Sequence, residues 1–411
     1  MKGTKLILSM VLSVVLIATL LGACKSAAPA VDPGKKTLKI GMTNPLTGVA
    51  AEKGNPMGAG NLDAIEYINN ELGGIDGHKI EALALDDGYD AAKATTIVKR
   101  FIDEGYLFFT TASSAMMTAM MENANRASFP GIVAFSASNL TQPPQRIYGQ
   151  TPDYGDDWAA FAKYYMSNIW KDKSRKPRMA LHLLNNSTGA AAKKAAEAKA
   201  VELGIELVII KEHAATTSSE IASLTEIKSK NPDVLYISST PAPTSVIIKN
   251  AKELGMYPGI TIASGHAGIT KALVDLGGAD VVEGVYGVYP TVQWGENVPG
   301  MAKMTEYVRK NHPKYEGNAD YIVSWAQSLI AAEILRLAVK NAGADKLTPQ
   351  IVEEQGFKKL KNFDVGGLHG PVTYTPGDNR LSKSVRVIQV QKGKLVPVTG
   401  WVEAPLIQYA K

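Results

Sequence analysis

Cysteine is nearly absent: Cys24 is the single one in 411 residues. No internal disulfide can form, and no second thiol exists for redox chemistry or a thiolate metal cluster. The six histidines, His78, His182, His213, His266, His312 and His369, never fall at zinc-ligand spacing, and the chain has no H-E-x-x-H, G-x-S-x-G or G-x-x-x-x-G-K-[ST] motif. The glycine-rich run from Gly54 to Gly60 lacks the G-x-G-x-x-G spacing, and Pro56 within it suits the start of a helix. Asp86-Asp87 is a lone acidic pair, of the kind that caps a helix or fixes a loop. An enzyme on this chain would lack a catalytic constellation, so no catalytic or metal-ligating residue and no cofactor is assigned. The formal charge is +5 with both signs interspersed. No basic stripe tracks a phosphate backbone, which sets nucleic acid aside as a partner.

What is present begins at the N-terminus. Lys2 and Lys5 precede an apolar run from Leu6 to Leu21, and the small residues Gly22 and Ala23 lead into Cys24. A charged end, an apolar middle and a small-residue cleavage site make residues 1–23 an export signal that is removed. The run is shorter than the ~20 residues of a membrane-spanning helix. Leu21-Gly22-Ala23-Cys24 resembles the lipobox of bacterial lipoproteins, which implies acylation of Cys24; the alternative is an ordinary cysteine ending a secretory signal. Two acyl chains, at about 0.8 kcal/mol for each buried CH₂, would anchor the protein stably to a membrane. Residues 24–36, rich in Ala and Pro, read as a flexible tether. No later segment has a long charge-free apolar stretch, so the remainder is expected to be soluble, and its length predicts two domains.

From Thr37 short apolar runs alternate with longer amphipathic stretches. Strands are predicted at 38–43, 79–85, 106–111 and 131–135, and helices at 56–72, 90–104 and 115–128, with Gly73-Gly74 and Gly105 as stop signals. The pattern restarts with strands at 179–184, 205–211, 234–238 and 260–263 and helices near 190–203, 218–229 and 243–254, the first and last ended by Gly204 and Gly255. Such alternation predicts an α/β fold of two Rossmann-like lobes with parallel central sheets. The segment 281–290 and the helices near 301–311 and 321–341 are expected to return to the first lobe. The tail reads as hairpins, 370–375 and 385–398, with turns at Pro376-Gly377-Asp378-Asn379 and Lys392-Gly393-Lys394. Lobe 1 is therefore expected at 37–153 with 286–383, and lobe 2 at 154–285 with 384–411, joined by a multi-strand hinge.

In open α/β sheets ligands bind beyond the carboxyl ends of the strands, where loops enter helix N-termini. Those loops here are 45–54, 112–115, 136–139, 185–189, 239–243 and 264–268, rich in Ser, Thr, Asn and Gly and poor in carboxylates. Ser113-Ser114 and Ser136-Ala137-Ser138-Asn139 can offer hydroxyls and backbone N–H groups to a carboxylate or carbonyl. The same serines can equally be helix caps.

The run of residues Ile40-Gly41 to Pro45-Leu46-Thr47-Gly48, Ala64-Ile65-Glu66-Tyr67-Ile68-Asn69 with Gly73-Gly74-Ile75, Leu85-Asp86-Asp87, Ser113-Ser114 and Asp233-Val234-Leu235-Tyr236 resembles the leucine/isoleucine/valine-binding protein family over nearly the whole chain from Leu38. That resemblance implies the type I periplasmic-binding fold. It also implies an extracytoplasmic solute-binding role beside the membrane permease of an ABC importer, with an amino acid, organic acid or amide as ligand, and a monomer. It assigns the ligand carboxylate to the loops at Ser114 and at Ser136, Ala137 and Ser138. Further ligand positions fall on Lys53, Tyr154, Thr188, Thr240, His266 and Trp325.

The departures from the family pattern shape the expected ligand. Amino-acid binders hold the ammonium with an acidic residue in the loop that here reads Ser264-Gly265-His266-Ala267, and often with an aspartate where Tyr154 stands, although Asp153, Asp156 or Asp157 could refill that place. Lysine replaces a common aromatic at Lys53 and would favour an anionic group. The ligand is thus expected to carry a carboxylate or another acceptor-rich group and to lack a free α-ammonium. Bland alternatives are a solvated loop for His266, an exposed rim for Lys53, and core packing for Tyr154 and Trp325. A ligand-sensing receptor module working with a separate membrane signalling partner is the competing function.

Overall fold

The structure, a computed structural model, describes residues 30–409. The export signal, Cys24 and the first part of the tether lie outside the described residues.

The first sheet is built from β1 (Leu38–Asn44), β2 (Ile80–Asp86), β3 (Phe109–Thr111), β4 (Gly131–Val133) and β5 (Ile147–Gly149), in the order β2-β1-β3-β4-β5. Every pairing is parallel. A parallel sheet covered by helices on both faces hides its strands from water, and β1 accordingly reads as an apolar run, Leu38 to Met42, with only Lys39 half-exposed. Between the strands run α1 (Ala51–Glu71), α2 (Ala91–Asp103), α3 (Ser114–Arg126) and the single turn α4 (Ser138–Thr141). The predicted stop signals hold in detail, since Gly73, Gly74, Gly105, Gly204 and Gly255 all take positive φ after a helix end. Helix α1 starts at Ala51, one turn before the proline read as its beginning; Pro56 sits inside the helix, and Asn55 turns its side-chain amide back to the Ala51 carbonyl at 2.8 Å.

The second lobe opens with α5 (Tyr154–Tyr164) and alternates β6 (Arg178–Leu184), α6 (Ser187–Lys199), β7 (Glu206–His213), α7 (Ile221–Ser229), β8 (Val234–Ser238), α8 (Pro241–Glu253) and β9 (Thr261–Ser264). After α9 (Lys271–Gly277) and α10 (Ala279–Val282), β10 (Tyr286–Tyr289) joins β9 in parallel. Here the expectation that 281–290 returns to the first lobe, and the lobe boundary at 286, are corrected. Tyr286 and Gly287 are held in the second sheet by β9 on one side and β11 on the other, and β11 pairs β10 as far as Tyr289, so the chain crosses back only after Tyr289.

Three helices then cover the first lobe: α11 (Pro299–Asn311), α12 (Ala319–Ala342) and α13 (Pro349–Gln355). Helix α12 is long and apolar enough to cross a membrane, but most of its apolar stretch is buried against the protein. The Asn61 side chain of α1 stitches it in place, donating to the Ser324 carbonyl at 3.0 Å and accepting from Asn44 at 3.1 Å. The tail returns as the antiparallel β11 (Ser384–Gln391) and β12 (Lys394–Pro397) at the edge of the second sheet, with the short β13 (Val402–Glu403) on β11. The tight turn at Lys392-Gly393 is as expected, both residues having positive φ. The strand expected at 370–375 is reduced to isolated bridges, Phe363 to Val372 and Thr375 to Asp378.

Among the described residues three chain segments cross between the lobes, near 150–153, 290–298 and 378–384. The third lies beside β5: the Gly149 amide donates to the Asn379 carbonyl at 2.9 Å and the Leu381 amide to the Gly149 carbonyl at 2.8 Å. Together they make the hinge that joins two α/β lobes of the type I periplasmic-binding fold.

Candidate functional site

The carboxyl ends of both sheets face one another, and between them lies a cavity with about 30 Å³ of water-accessible volume, in about 380 Å³ of empty space that includes open solvent. Lobe 1 contributes Pro45, Ala50, Lys53, Gly54 and Met57 after β1, Tyr89 after β2, Ala112 and Ser113 after β3, and Phe135 after β4. Lobe 2 contributes Tyr154, Thr188, Thr240 and Ala267. Each is a residue just past a strand or in the first two turns of a helix, near the helix ends where the first backbone N–H groups lack partners inside the helix. The N-termini of α1, α3, α6 and α8 converge on this space.

Four of the ten expected ligand positions line it, Lys53, Tyr154, Thr188 and Thr240; Ser114 is not in the lining but follows Ser113, which is. The Ser114 hydroxyl lies 3.1 Å from that of Ser187 and 3.5 Å from that of Thr188, across the two lobes. A second contact bridges the lobes where the Asn186 amide donates to the Tyr89 hydroxyl at 3.0 Å. Ser113, beside Ser114, is the cap of α3, accepting from the Met116 amide. Thr240 is different, because it stands at the cap position of α8 but makes no capping bond, so its hydroxyl is not spent on its own helix.

Lys53 is buried rather than on an exposed rim. Its Nζ lies 2.5 Å from Asp320 Oδ1 and 4.1 Å above the centre of the Phe135 ring. Burial lowers its pKa, while Asp320 opposes that by favouring the charged form. Asp320 also accepts from the Tyr289 hydroxyl at 2.7 Å. Burial raises the phenol of Tyr154, against the hydrogen bonds of Ser114 and Thr188, so Tyr154 stays protonated.

The other expected positions fall elsewhere. Ser136, Ala137 and Ser138 are buried but do not line the cavity. The Ser136 hydroxyl faces β5, close enough that a side chain at Gly149 would meet it at 2.9 Å, because the residue bridges to Asp153 and its side chain points back to the sheet. Trp325 is core: it stacks on Tyr67 at 5.6 Å and lies 5.5 Å from Tyr307, between α1, α11 and α12. His266 is neither solvated nor in the lining. Its ring stands behind the wall, 4.7 Å from Phe135 and 4.6 Å from Tyr154. Its Nδ1 is 2.6 Å from Asp157 Oδ2, out of line for a hydrogen bond, while its backbone amide donates to the same oxygen at 3.0 Å. Asp157 thus reaches the 264–267 loop from α5 through Oδ2, while its buried Oδ1 has no hydrogen-bond partner among the described residues.

Sequence reasoning missed Tyr89 and Phe135. Tyr89 follows β2, a position the post-strand rule covers, and the acidic pair Asp86-Asp87 was its signal. Asp86 accepts from the Leu46 and Gly88 amides, both at 2.8 Å, and from the Thr47 hydroxyl at 2.6 Å. Burial works against its charge, but the Thr47, Gly88 and Lys93 donors outweigh it and hold the carboxyl well below the usual range. Asp87 accepts from Thr43 at 2.7 Å and from the Tyr89 amide at 2.9 Å. The pair fixes two cavity loops at once.

Gly54 marks the tightest approach in the wall. A Cβ there would stand 2.0 Å from the Pro45 carbonyl oxygen. Gly54→Ala is therefore expected to push loop 45–50 off α1 at a cost of about 1–3 kcal/mol, read as a lower urea midpoint; an unchanged midpoint would show that the loop gives way freely.

The comparisons with known proteins bear on this geometry. A sequence model described as periplasmic binding protein matches residues 37–394. The Leu/Ile/Val-binding protein homolog 7 of Brucella suis biovar 1 (strain 1330) is 24% identical over 381 residues, spanning 89% of this chain and 92% of that protein. Among solved structures, a branched-chain amino acid ABC transporter protein from Thermus thermophilus with bound valine superposes with a TM-score of 0.81 at 21% identity, over 91% of this chain and 98% of that one. A fatty acid ABC transporter substrate-binding protein from Thermomonospora curvata gives a TM-score of 0.80 at 20% identity, over 93% and 96%. With the family pattern running through both lobes and all three crossings, the chain belongs to the periplasmic binding protein family.

Proposed function

We propose that this protein is the extracytoplasmic substrate-binding component of an ABC importer, capturing a small carboxylate-bearing or amide-like solute by closure of its two lobes, without catalysis. The observation that carries the reading is the cavity itself, whose wall is divided between two lobes that the chain connects at the hinge. A ligand that touches both halves binds the closed form better than the open one, and that difference alone can shift the population. The solved relatives named for valine and for fatty acids support a carboxylate ligand with or without an ammonium. Cys24 supplies the lipid anchor in this reading.

Calorimetry and small-angle scattering test it together. A solute found by thermal shift is expected to bind one-to-one and to reduce the radius of gyration. A screen of amino acids, organic acids and amides with no hit, or product formed from a bound solute, would overturn it. Within the site, Tyr154→Ala and Thr240→Ala are each expected to weaken binding by about 1–3 kcal/mol. Ser138→Ala, outside the wall, is expected to leave affinity unchanged, and a loss as large as that of Tyr154→Ala would restore the 136–138 loop to the site.

A further inference from the structure

Resting on that reading, we infer that the cavity selects an apolar or aromatic monocarboxylate without an ammonium group, and that Lys53 is the residue that anchors its charge. Among the described lining residues Lys53 is the only ammonium, and none is a carboxylate. Asp320 and Asp157 stand nearest, and neither is a lining residue. Asp320 is engaged by Lys53 and Tyr289 through its Oδ1. Asp157 is covered by His266, whose ring is itself screened from the cavity by Phe135 and Tyr154.

The electrostatics then favour one sign. Lys53 and Asp320 cancel as a pair, which leaves the positive ends of four helices directed at the space. A ligand carboxylate completes that arrangement and uses the donors of Lys53 that Asp320 leaves free, an ammonium having three. A ligand ammonium would enter a buried site with helix N-termini around it and no lining carboxylate to pair with. The remaining wall, Pro45, Met57, Phe135 and Ala267, is apolar and suits a hydrocarbon body.

Matched pairs of ligands give the test: 4-methylpentanoate against leucine, 3-phenylpropanoate against phenylalanine, and each acid against its primary amide, by calorimetry on the full mature chain. The acids are expected to bind on the order of a hundredfold more tightly than the amino acids, as for a charged group left unpaired in a buried site, and more tightly than the amides. Replacing the pair together, Lys53→Met with Asp320→Asn, avoids stranding a buried carboxylate. With its melting temperature confirmed, that variant is expected to lose the preference for acid over amide. Leucine or phenylalanine binding as tightly as its deaminated partner would overturn the selection against ammonium while leaving solute capture intact. Equal binding of acid and amide by the native protein, or an acid preference that survives in the double variant, would overturn the role of Lys53. A chain that binds none of these yet closes on some other solute would overturn the substrate class alone.

Discussion

Replacing Arg380 with methionine is expected to destabilise the protein by about 3–5 kcal/mol, the cost of leaving buried carboxylates without their cation. Arg380 is wholly buried at the hinge. Its Nη1 donates to both oxygens of Asp156 at 3.1 Å and to the Ile407 carbonyl at 3.1 Å, while Nε and Nη2 reach Asp378 at 2.9 and 2.8 Å. Asp153 stands 3.9 Å away. One guanidinium thereby ties the segment entering lobe 2, the segment leaving lobe 1 and the C-terminal tail. Burial raises the carboxyls of Asp153 and Asp156, Asp156 well above its ordinary value, with Arg380 opposing in both cases. Three carboxylates around one cation are already in excess, so removing the cation leaves only protonation as relief. Urea unfolding of Arg380→Met measures the loss; a change under about 1 kcal/mol, the size of an exposed pair, would show that the cluster does not hold the hinge.

Acid is expected to weaken the second lobe through a pair of buried histidines. His182 on β6 and His213 at the end of β7 face each other with their Nδ1 atoms 2.9 Å apart. Their outer nitrogens are also engaged, His182 Nε2 with Ser223 at 2.8 Å and His213 Nε2 with Ser239 at 2.8 Å, the latter beside Thr240 of the cavity. Burial lowers both to about 4, with Glu220 opposing for each and the neighbouring ring adding to the shift of His213. Two protonated rings would set N–H against N–H. Because the unfolded imidazoles bind protons near pH 6.5 and the folded ones only near 4, the unfolded chain takes up more protons in between. The stabilisation is complete above about pH 6.5 and is lost as pH falls toward 4, at about 1.36 kcal/mol per unit and ring, or on the order of 3 kcal/mol for one ring. The raised hinge aspartates contribute with the opposite sign. Urea midpoints at pH 7, 5.5 and 4.5 are thus expected to fall steeply in the native protein and to flatten when His182→Leu and His213→Leu are combined. An equal slope in both would assign the acid sensitivity to other groups.

Much of the architecture was legible along the chain because its signals are local. Glycines at helix ends, apolar runs of strand length and their alternation with amphipathic stretches come from backbone sterics and burial, and they located two lobes. Short or fully buried elements escaped. Strand β5 has three residues, and α5 is buried from Tyr154 through Ala162, so neither shows a polar face from which a period could be read. The crossing after Tyr289 was misplaced because a strand at the sheet's parallel–antiparallel junction looks the same in sequence whichever lobe receives it.

The sequence by itself determined the pattern of strands and helices, the loops from which a site must be built, and the poverty of those loops in carboxylates. Only the tertiary structure decided which side chains face the cavity. Ser136 and Ser138 share a loop type with Ser113, yet neither lines the cavity, and Ser136 instead bridges to Asp153 at the hinge. Lys53 lies in the wall and Trp325 in the core because α1 and α12 pack face to face, one end of that contact meeting the cleft and the middle lying beneath it. Local periodicity sets which face of an element is apolar, but what that face meets depends on residues hundreds of positions away, as Lys53 and Asp320 show.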